Sequence, residues 1–176
     1  SANEEAGLAF SADEGELVCR LPVPENGGET GLVLAWDDLV SINYFGEWRK
    51  GVWTERYETI QDAMGAALGD REEMLERAGK LDRDIYESAF TLGGESYAYL
   101  CCLSYRQAVT AHKLIRDRDG NLIFLSKEND SNGCIGTVDI SYPSLPLFLM
   151  YNPELVKGML RPVFRFANCD VWENDY

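Results

Sequence analysis

The 176-residue sequence has little of what many functional sites require: histidine, paired cysteines and positive charge. His112 is its one histidine, and none of its five cysteines is spaced as C-x-x-C, so the usual ligand spacing of a zinc site is missing. Sixteen Lys and Arg stand against 30 Asp and Glu, a formal net charge of −14. That charge disfavours binding to nucleic acid or to an anionic membrane surface. The cysteines are interpreted as buried structural thiols.

Long hydrophobic runs are missing as well. No stretch approaches the roughly 18 apolar residues of a membrane-spanning helix, and no secretion signal is recognisable in the chain. Glycine-rich nucleotide loops and the G-x-S-x-G elbow are also lacking, and His112 is interpreted as a core histidine rather than a catalytic base. With 45% hydrophobic and 26% charged residues, the composition is that of a globular protein with one core.

Residues 1–50 are predicted to form a β-rich segment. Strands are expected at 8–10, 17–21 and 31–44, separated by turns rich in Asp, Asn and Gly. The apolar run inside the third strand suggests burial on both faces. Because so few strands cannot close a sheet, we expect this segment to be the edge of a larger β region.

Residues 51–176 are predicted to form a helical hairpin domain, which makes the chain mainly α with some β (α+β). A first helix near residue 60 is expected to end at Gly69, and Asp70 is expected to cap a second helix that stops at Gly93-Gly94. A third helix, 95–114, carries few charges and is predicted to be packed nearly all round.

The second half of this domain contains a predicted β-hairpin near 114–125, with Asp119-Gly120 as its turn. A short strand is expected at 135–140, followed by a helix that Tyr142-Pro143 opens. Asn152-Pro153 then fits the start of the last helix, because proline suits the first helical position.

Two carboxylates near the polar loop after this hairpin are candidate catalytic residues, Glu128 and Asp139. Hydrolysis of an amide or a glycoside needs such a pair in a cleft, one partner accepting a proton and the other donating one. Lys127 is positioned to keep Glu128 ionised, and Asn129 and Asn132 are candidate hydrogen-bond partners for a polar substrate. The alternative is a solvated loop in which Asp139 caps a local turn.

An aromatic group lies near the junction between the strands and the first helix: Trp36, Tyr44, Trp48 and Trp53. It is interpreted as a hydrophobic seam between two layers, with a stacking platform for a sugar ring as the alternative.

Several separated motifs resemble glutaminase A-like proteins of fungi and bacteria. They are Ile42-Asn43-Tyr44-Phe45-Gly46, Thr59-Ile60-Gln61-Asp62, Leu103-Ser104-Tyr105-Arg106-Gln107-Ala108, Phe124-Leu125-Ser126-Lys127-Glu128-Asn129, Thr137-Val138-Asp139, Tyr142-Pro143-Ser144 and the segment 151–164. Tyr105 and Arg106, in the third of these motifs, are candidate substrate-binding residues. The resemblance implies a central domain in a longer parent, between an N-terminal β-sandwich and a C-terminal helical region like the α/α toroid of six-hairpin glycosidases. The helical hairpins of this chain are then expected to form part of such a toroid. It also implies a secreted or periplasmic parent.

The resemblance implies hydrolysis of the glutamine side-chain amide to glutamate and ammonia, without an organic cofactor. The isolated chain is expected to be nearly inactive, because flanking domains of the same parent would complete its cleft. Since fold does not determine chemistry, two alternatives stay open: a glycoside hydrolase-related segment that acts on glycans, and a structural connector without catalytic residues. The expected partners are therefore a small-molecule substrate and the flanking domains.

Overall fold

The computed structural model describes residues 7–11, 16–20, 27, 33–128 and 132–173. The chain divides into two compact units, Ser1–Trp36 and Asp37–Tyr176. In the first unit, strands β1 (Gly7–Ser11) and β2 (Glu16–Arg20) pair in an antiparallel hairpin. Two strands were expected there, and both are confirmed within the described residues.

The predicted third strand is wrong over most of its length. Residues 33–41 form no strand, and Leu34 and Trp36 are exposed; only β3 (Ile42–Tyr44) is extended and paired. The Asp37 carboxylate accepts a hydrogen bond from the Leu39 backbone N–H at 2.9 Å. This local turn competes with a strand, which explains why the apolar run does not continue into β3.

A second hairpin pairs β3 with β4 (Glu47–Arg49), and a 3-10 helix follows at Val52–Glu55. Helix α1 (Ile60–Gly69) begins with a reciprocal capping box between Thr59 and Asp62. The end at Gly69 is confirmed. The side chain of Asp70 makes no capping hydrogen bond, so the cap expected for the second helix does not form.

Helix α2 (Arg71–Thr110) folds back on itself at Gly94, whose φ of 77° and ψ of −170° are not helical. The Tyr86 and Tyr99 rings lie 5.4 Å apart, and Arg106 pairs with Asp82 across the bend. Residues 71–93 and 95–110 are therefore two antiparallel arms of one helical hairpin. The break predicted at Gly93-Gly94 is confirmed.

The second arm of α2 corrects two expectations. It ends at Thr110 rather than near 114, because His112 already belongs to strand β5 (His112–Arg116). It is also not packed all round: Ala98 is its one fully buried residue, whereas several large apolar side chains are exposed, namely Tyr97, Tyr99, Leu100, Leu103 and Val109. Its low charge thus reflects a surface that no described residue covers.

Strand β5 pairs with β6 (Leu122–Ser126), and Asp117 accepts hydrogen bonds from the turn that joins them. The predicted β-hairpin is confirmed.

Helix α3 (Val138–Tyr151) starts earlier than expected and replaces the predicted strand at 135–140, of which Ile135 forms one isolated bridge. Helix α4 (Pro153–Ala167) begins at Pro153 as predicted.

The β5–β6 hairpin is the centre of the second unit, because apolar side chains pack on both of its faces. One cluster joins it to β3, and the other joins Phe124 to helices α3 and α4 through Phe148, Val156 and Met159. A Cβ at Gly158 would lie 3.0 Å from the Phe124 backbone nitrogen, so glycine allows α4 to approach β6 closely. In the described part of the chain, four α-helices and three two-stranded antiparallel sheets confirm the α+β class.

Candidate functional site

The polar loop after β6 is closed by backbone hydrogen bonds. The Gly136 N–H donates to the Ser126 carbonyl at 2.8 Å, and Lys127 and Ile135 form an antiparallel bridge. Gly136 has a φ of 71°, a conformation that favours glycine. The two ends of the loop are thereby fixed at the end of β6, although residues 129–131, including the candidate Asn129, lie outside the described residues.

Glu128 is half-buried at the start of this loop, and its carboxylate accepts a hydrogen bond from the Asn132 side-chain amide. The other end of that amide accepts a hydrogen bond from the Cys134 N–H at 2.7 Å. The Glu128 N–H donates in turn to the Cys134 carbonyl at 3.2 Å. Asn132 therefore connects the carboxylate to the backbone of the loop.

Asp139 lies in the first turn of α3 and is exposed. A buried hydrogen bond of 3.0 Å joins the Oγ atoms of Ser126 and Ser141, which attaches the start of α3 to the end of β6. Glu128 follows Ser126 by two residues and Asp139 precedes Ser141 by two residues. The fold thus places the two candidate carboxylates on backbone segments that meet at one point.

A groove with a volume of about 680 Å³ lies beside this loop, and neither candidate carboxylate is among the residues that line it. One wall is the segment between the two carboxylates, including Gly133 and Val138, and the opposite walls come from the β3–β4 hairpin and the end of α4. Phe45 contributes from the hairpin turn and Phe166 from α4. A concave, mostly apolar cavity next to a few polar groups is the usual form of a small-molecule site.

The sequence patterns do not single out Phe45, which lines the groove from the turn between β3 and β4. Its φ of 50° is unusual for a bulky residue, and the following Gly46 has a φ of 86°, so the pair forms a tight hairpin turn. The Arg165 guanidinium lies 4.5 Å from the Phe45 ring centroid and 5.1 Å from that of Tyr44. The sequence signal for this turn is a glycine that directly follows an aromatic residue between two short strands.

The three remaining described candidates lie at different places. Lys127 is half-buried beside Lys113, whose pKa is lowered first by burial and then by the Lys127 charge. Arg106 pairs with Asp82 on the α2 hairpin, and the Tyr105 ring contacts Tyr151 edge to face at 5.4 Å. Arg106 and Tyr105 therefore contact Asp82 and Tyr151, whereas Lys127 directly precedes Glu128 in the chain.

His112 has the surroundings of a core histidine. Its ring stacks on Phe124 with centroids 4.3 Å apart, and Nδ1 lies 2.6 Å from the Ala108 carbonyl. Burial lowers the pKa of His112 despite the bond to Ala108, so the neutral ring is favoured near pH 7. This agrees with its interpretation as a structural residue.

The residues of the predicted aromatic group differ in burial. Tyr44 is buried in the core, Trp53 is half-buried, and Trp36 and Trp48 are exposed. Of the four cysteines whose side chains are described, Cys101, Cys102 and Cys169 are half-buried and Cys134 is exposed, so the prediction of buried thiols is wrong for these four. In the described ranges, no group of three or more His, Cys, Asp or Glu side chains is arranged to hold a metal, and no helix is long and apolar enough to cross a membrane.

Much of the chain is similar in sequence to known proteins. Residues 94–176 match the family model for the glutaminase A six helical-hairpin domain. The predicted resemblance to glutaminase A-like proteins is confirmed. Glutaminase A from Aspergillus oryzae is 30% identical over 125 residues, which are 71% of this chain and 18% of that protein. A probable glutaminase from Arthroderma benhamiae is 27% identical over 127 residues, 72% of this chain and 15% of that protein.

The chain spans less than a fifth of the length of the curated relatives it matches. No solved structure matches it. The matched domain covers the second arm of α2, the β5–β6 hairpin and helices α3 and α4, so it includes both candidate carboxylates.

Proposed function

We propose that this chain is part of the catalytic region of a glutaminase-like hydrolase that converts L-glutamine to glutamate and ammonia. The observation that supports this most directly is the Ser126–Ser141 hydrogen bond, which joins the segments bearing Glu128 and Asp139 beside a groove. The names of the matched relatives supply the substrate class, a small amide.

In the proposed reaction, Glu128 accepts a proton from a water molecule as the water oxygen attacks the side-chain amide carbon of glutamine. The hydrogen bond from Asn132 favours the ionised carboxylate that this role requires. The carbon–nitrogen bond then breaks while Asp139 donates a proton to the departing nitrogen, which leaves as ammonia. The carboxylates exchange protons with solvent to return to their starting states.

The proton-donating role of Asp139 requires additional cover, because the described residues leave its side chain exposed. The second arm of α2 also has exposed apolar side chains that another protein surface would bury, including Leu100 at 58% and Leu103 at 54% exposure. We propose that flanking domains of the same parent chain provide it, which agrees with relatives more than five times as long as the matched region. The parent is proposed to be secreted or periplasmic.

The experiment is substitution of each carboxylate in the full-length protein, with glutamine hydrolysis followed by ammonia release. We expect Glu128→Gln and Asp139→Asn each to abolish turnover while the melting temperature stays unchanged. Glu76→Gln is a matched control, because Glu76 is exposed on the first arm of α2, outside both the loop and the groove lining. Full activity in Glu128→Gln would contradict the proposal.

A structural connector is the second candidate function, and the exposed surface of the second α2 arm is the observation that favours it. A connector would keep that surface in an interface while all catalytic groups lay elsewhere in the parent. In that case both carboxylate variants would retain turnover, whereas Leu100→Asp would destabilise the full-length protein. Hydrolysis of a glycan instead of glutamine by the same protein would favour the glycosidase alternative.

A further inference from the structure

Asn132 was expected to contact a substrate, but both ends of its side-chain amide are engaged within the loop. Nδ2 donates to Glu128 Oε2, and Oδ1 accepts from the Cys134 N–H at 2.7 Å. An amide has one donor end and one acceptor end, so each end here has a partner inside the protein. This arrangement suits a residue that holds another side chain in place.

The contacts around Asn132 form a closed ring. Cys134 donates to Asn132 through its N–H and accepts from the Glu128 N–H through its carbonyl, so Glu128, Asn132 and Cys134 each contact the other two. The bond from the Gly136 N–H to the Ser126 carbonyl fixes this ring to the end of β6. The ring therefore anchors the Glu128 carboxylate to β6, a strand whose last four residues are buried.

We propose that Asn132 is a positioning residue that orients the Glu128 carboxylate and does not bind substrate; its catalytic consequence rests on the proposed function. A hydrogen bond to an ionised carboxylate is stronger and more directional than one between neutral groups. Without the Asn132 donor, the carboxylate rotates about its side-chain torsions and leaves the geometry needed to activate water. Misplacing a catalytic group by about 1 Å costs on the order of a hundredfold in rate.

The kinetic test compares Asn132→Ala and Asn132→Asp in the full-length protein. Asn132→Asp keeps an oxygen to accept from the Cys134 N–H but presents a second carboxylate to Glu128. We expect both variants to lower kcat by roughly tenfold to a hundredfold, with KM changed less than about threefold. A rise in KM with kcat retained would overturn the proposal and make Asn132 a substrate ligand.

Asn121→Ala is the matched control for these variants. The Asn121 amide also donates to a carboxylate, that of Asp117 at 3.1 Å, but in the β5–β6 turn and away from the groove lining. Its removal is expected to leave kcat and KM unchanged. Equal losses in Asn121→Ala and Asn132→Ala would attribute the effect to general loosening of the hairpin and overturn the positioning role.

A second measurement does not depend on activity. The side-chain amide proton of Asn132, assigned by NMR, is expected to move upfield in Glu128→Gln, because a neutral acceptor replaces a charged one, while the Asn121 amide stays in place. An unmoved Asn132 resonance would overturn the contact itself. If this resonance moves but Glu128→Gln retains turnover, the contact stands and the proposed function fails, so the two failures are distinguishable.

Discussion

The hydroxyl groups of Ser126 and Ser141 form a hydrogen bond of 3.0 Å between the last residue of β6 and the first turns of α3. Both side chains are buried, Ser126 at 1% and Ser141 at 8% exposure. The bond joins residues fifteen positions apart, and it determines where the candidate carboxylates on either side of it can lie. Its strength is therefore relevant to the site as well as to stability.

We expect Ser126→Ala to lower the free energy of unfolding by about 1–3 kcal/mol, because the buried Ser141 hydroxyl loses its partner. The double variant with Ser141→Ala is expected to cost less than the sum of the two single variants. Urea unfolding measures both quantities. Ser88→Ala is the control, since its exposed hydroxyl bonds within a helix, and its effect is expected to stay within about 0.5 kcal/mol. A neutral Ser126→Ala would show that this bond does not secure the site.

Gly158 tests the close packing of α4 on β6. Gly158→Ala would place a Cβ 3.0 Å from the Phe124 nitrogen and 3.2 Å from the Leu122 carbonyl oxygen, so we expect a loss of about 1–3 kcal/mol despite the better helix propensity of alanine. Gly65→Ala in α1 meets no atom within 4 Å and is expected to gain roughly 0.5–1 kcal/mol. Thermal melting distinguishes the two signs. A stabilising Gly158→Ala would mean that the helix and the strand are farther apart.

Gly94 tests the fold-back of α2. Alanine at a φ of 77° is strained, so Gly94→Ala is expected to lower the stability of the hairpin by about 1–2 kcal/mol. The strain also favours a straightened helix, which small-angle scattering would detect as a larger radius of gyration. Gly79→Ala, within the first arm, is the control and is expected to change neither the radius nor the hairpin. An unaltered melting temperature in Gly94→Ala would contradict the assigned bend.

Ionisation of Asp117 is expected to make the free energy of unfolding depend on pH. Burial alone raises the pKa of Asp117, but hydrogen bonds from the Asn121 side chain and from the backbone of Asn121 and Asp119 lower it below the usual value of 3.8. Its ionised form therefore contributes stability above pH 3.8, and this contribution is lost as the pH falls through the lowered pKa. Asp117→Asn is expected to cost no more than about 1 kcal/mol at pH 7 and progressively less below pH 3.8.

Urea unfolding at several pH values measures this difference, with Asp119→Asn as the control. The Asp119 side chain lies in the same turn, 70% exposed, and its removal is expected to have little effect at any pH. A cost of Asp117→Asn that persists at pH 2 would show that the charge is not what stabilises the turn.

The features that the sequence predicted well depend on neighbouring residues. Asp119-Gly120 identifies the β5–β6 turn, Gly94 the bend of α2 and Pro153 the start of α4, because each residue type restricts the backbone at its own position. The failures depend on distant partners. An apolar run at 33–36 predicts a strand only if another strand pairs with it, and the low charge of the second α2 arm predicts burial only if something covers it.

The candidate site shows the same division. Residue type and the family resemblance singled out Glu128, Asp139 and Asn132, but they did not indicate that Asn132 contacts Glu128 and Cys134 rather than a substrate. Nor did they indicate the positive φ of Phe45 or the presence of the groove. The division between the 1–50 and 51–176 segments stays a prediction, as do the roles of Lys127, Asn129, Tyr105 and Arg106.

The amino-acid sequence by itself determined the glutaminase A-like relationship, the α+β class and the positions where the chain turns, because local backbone preferences act over a few residues. Only the tertiary structure decided that Ser126 meets Ser141, that Gly158 lies against β6 and that a groove opens beside the Glu128 loop. These contacts join residues far apart in the chain, and their approach is set by how the two faces of the β5–β6 hairpin pack against β3 and the last two helices.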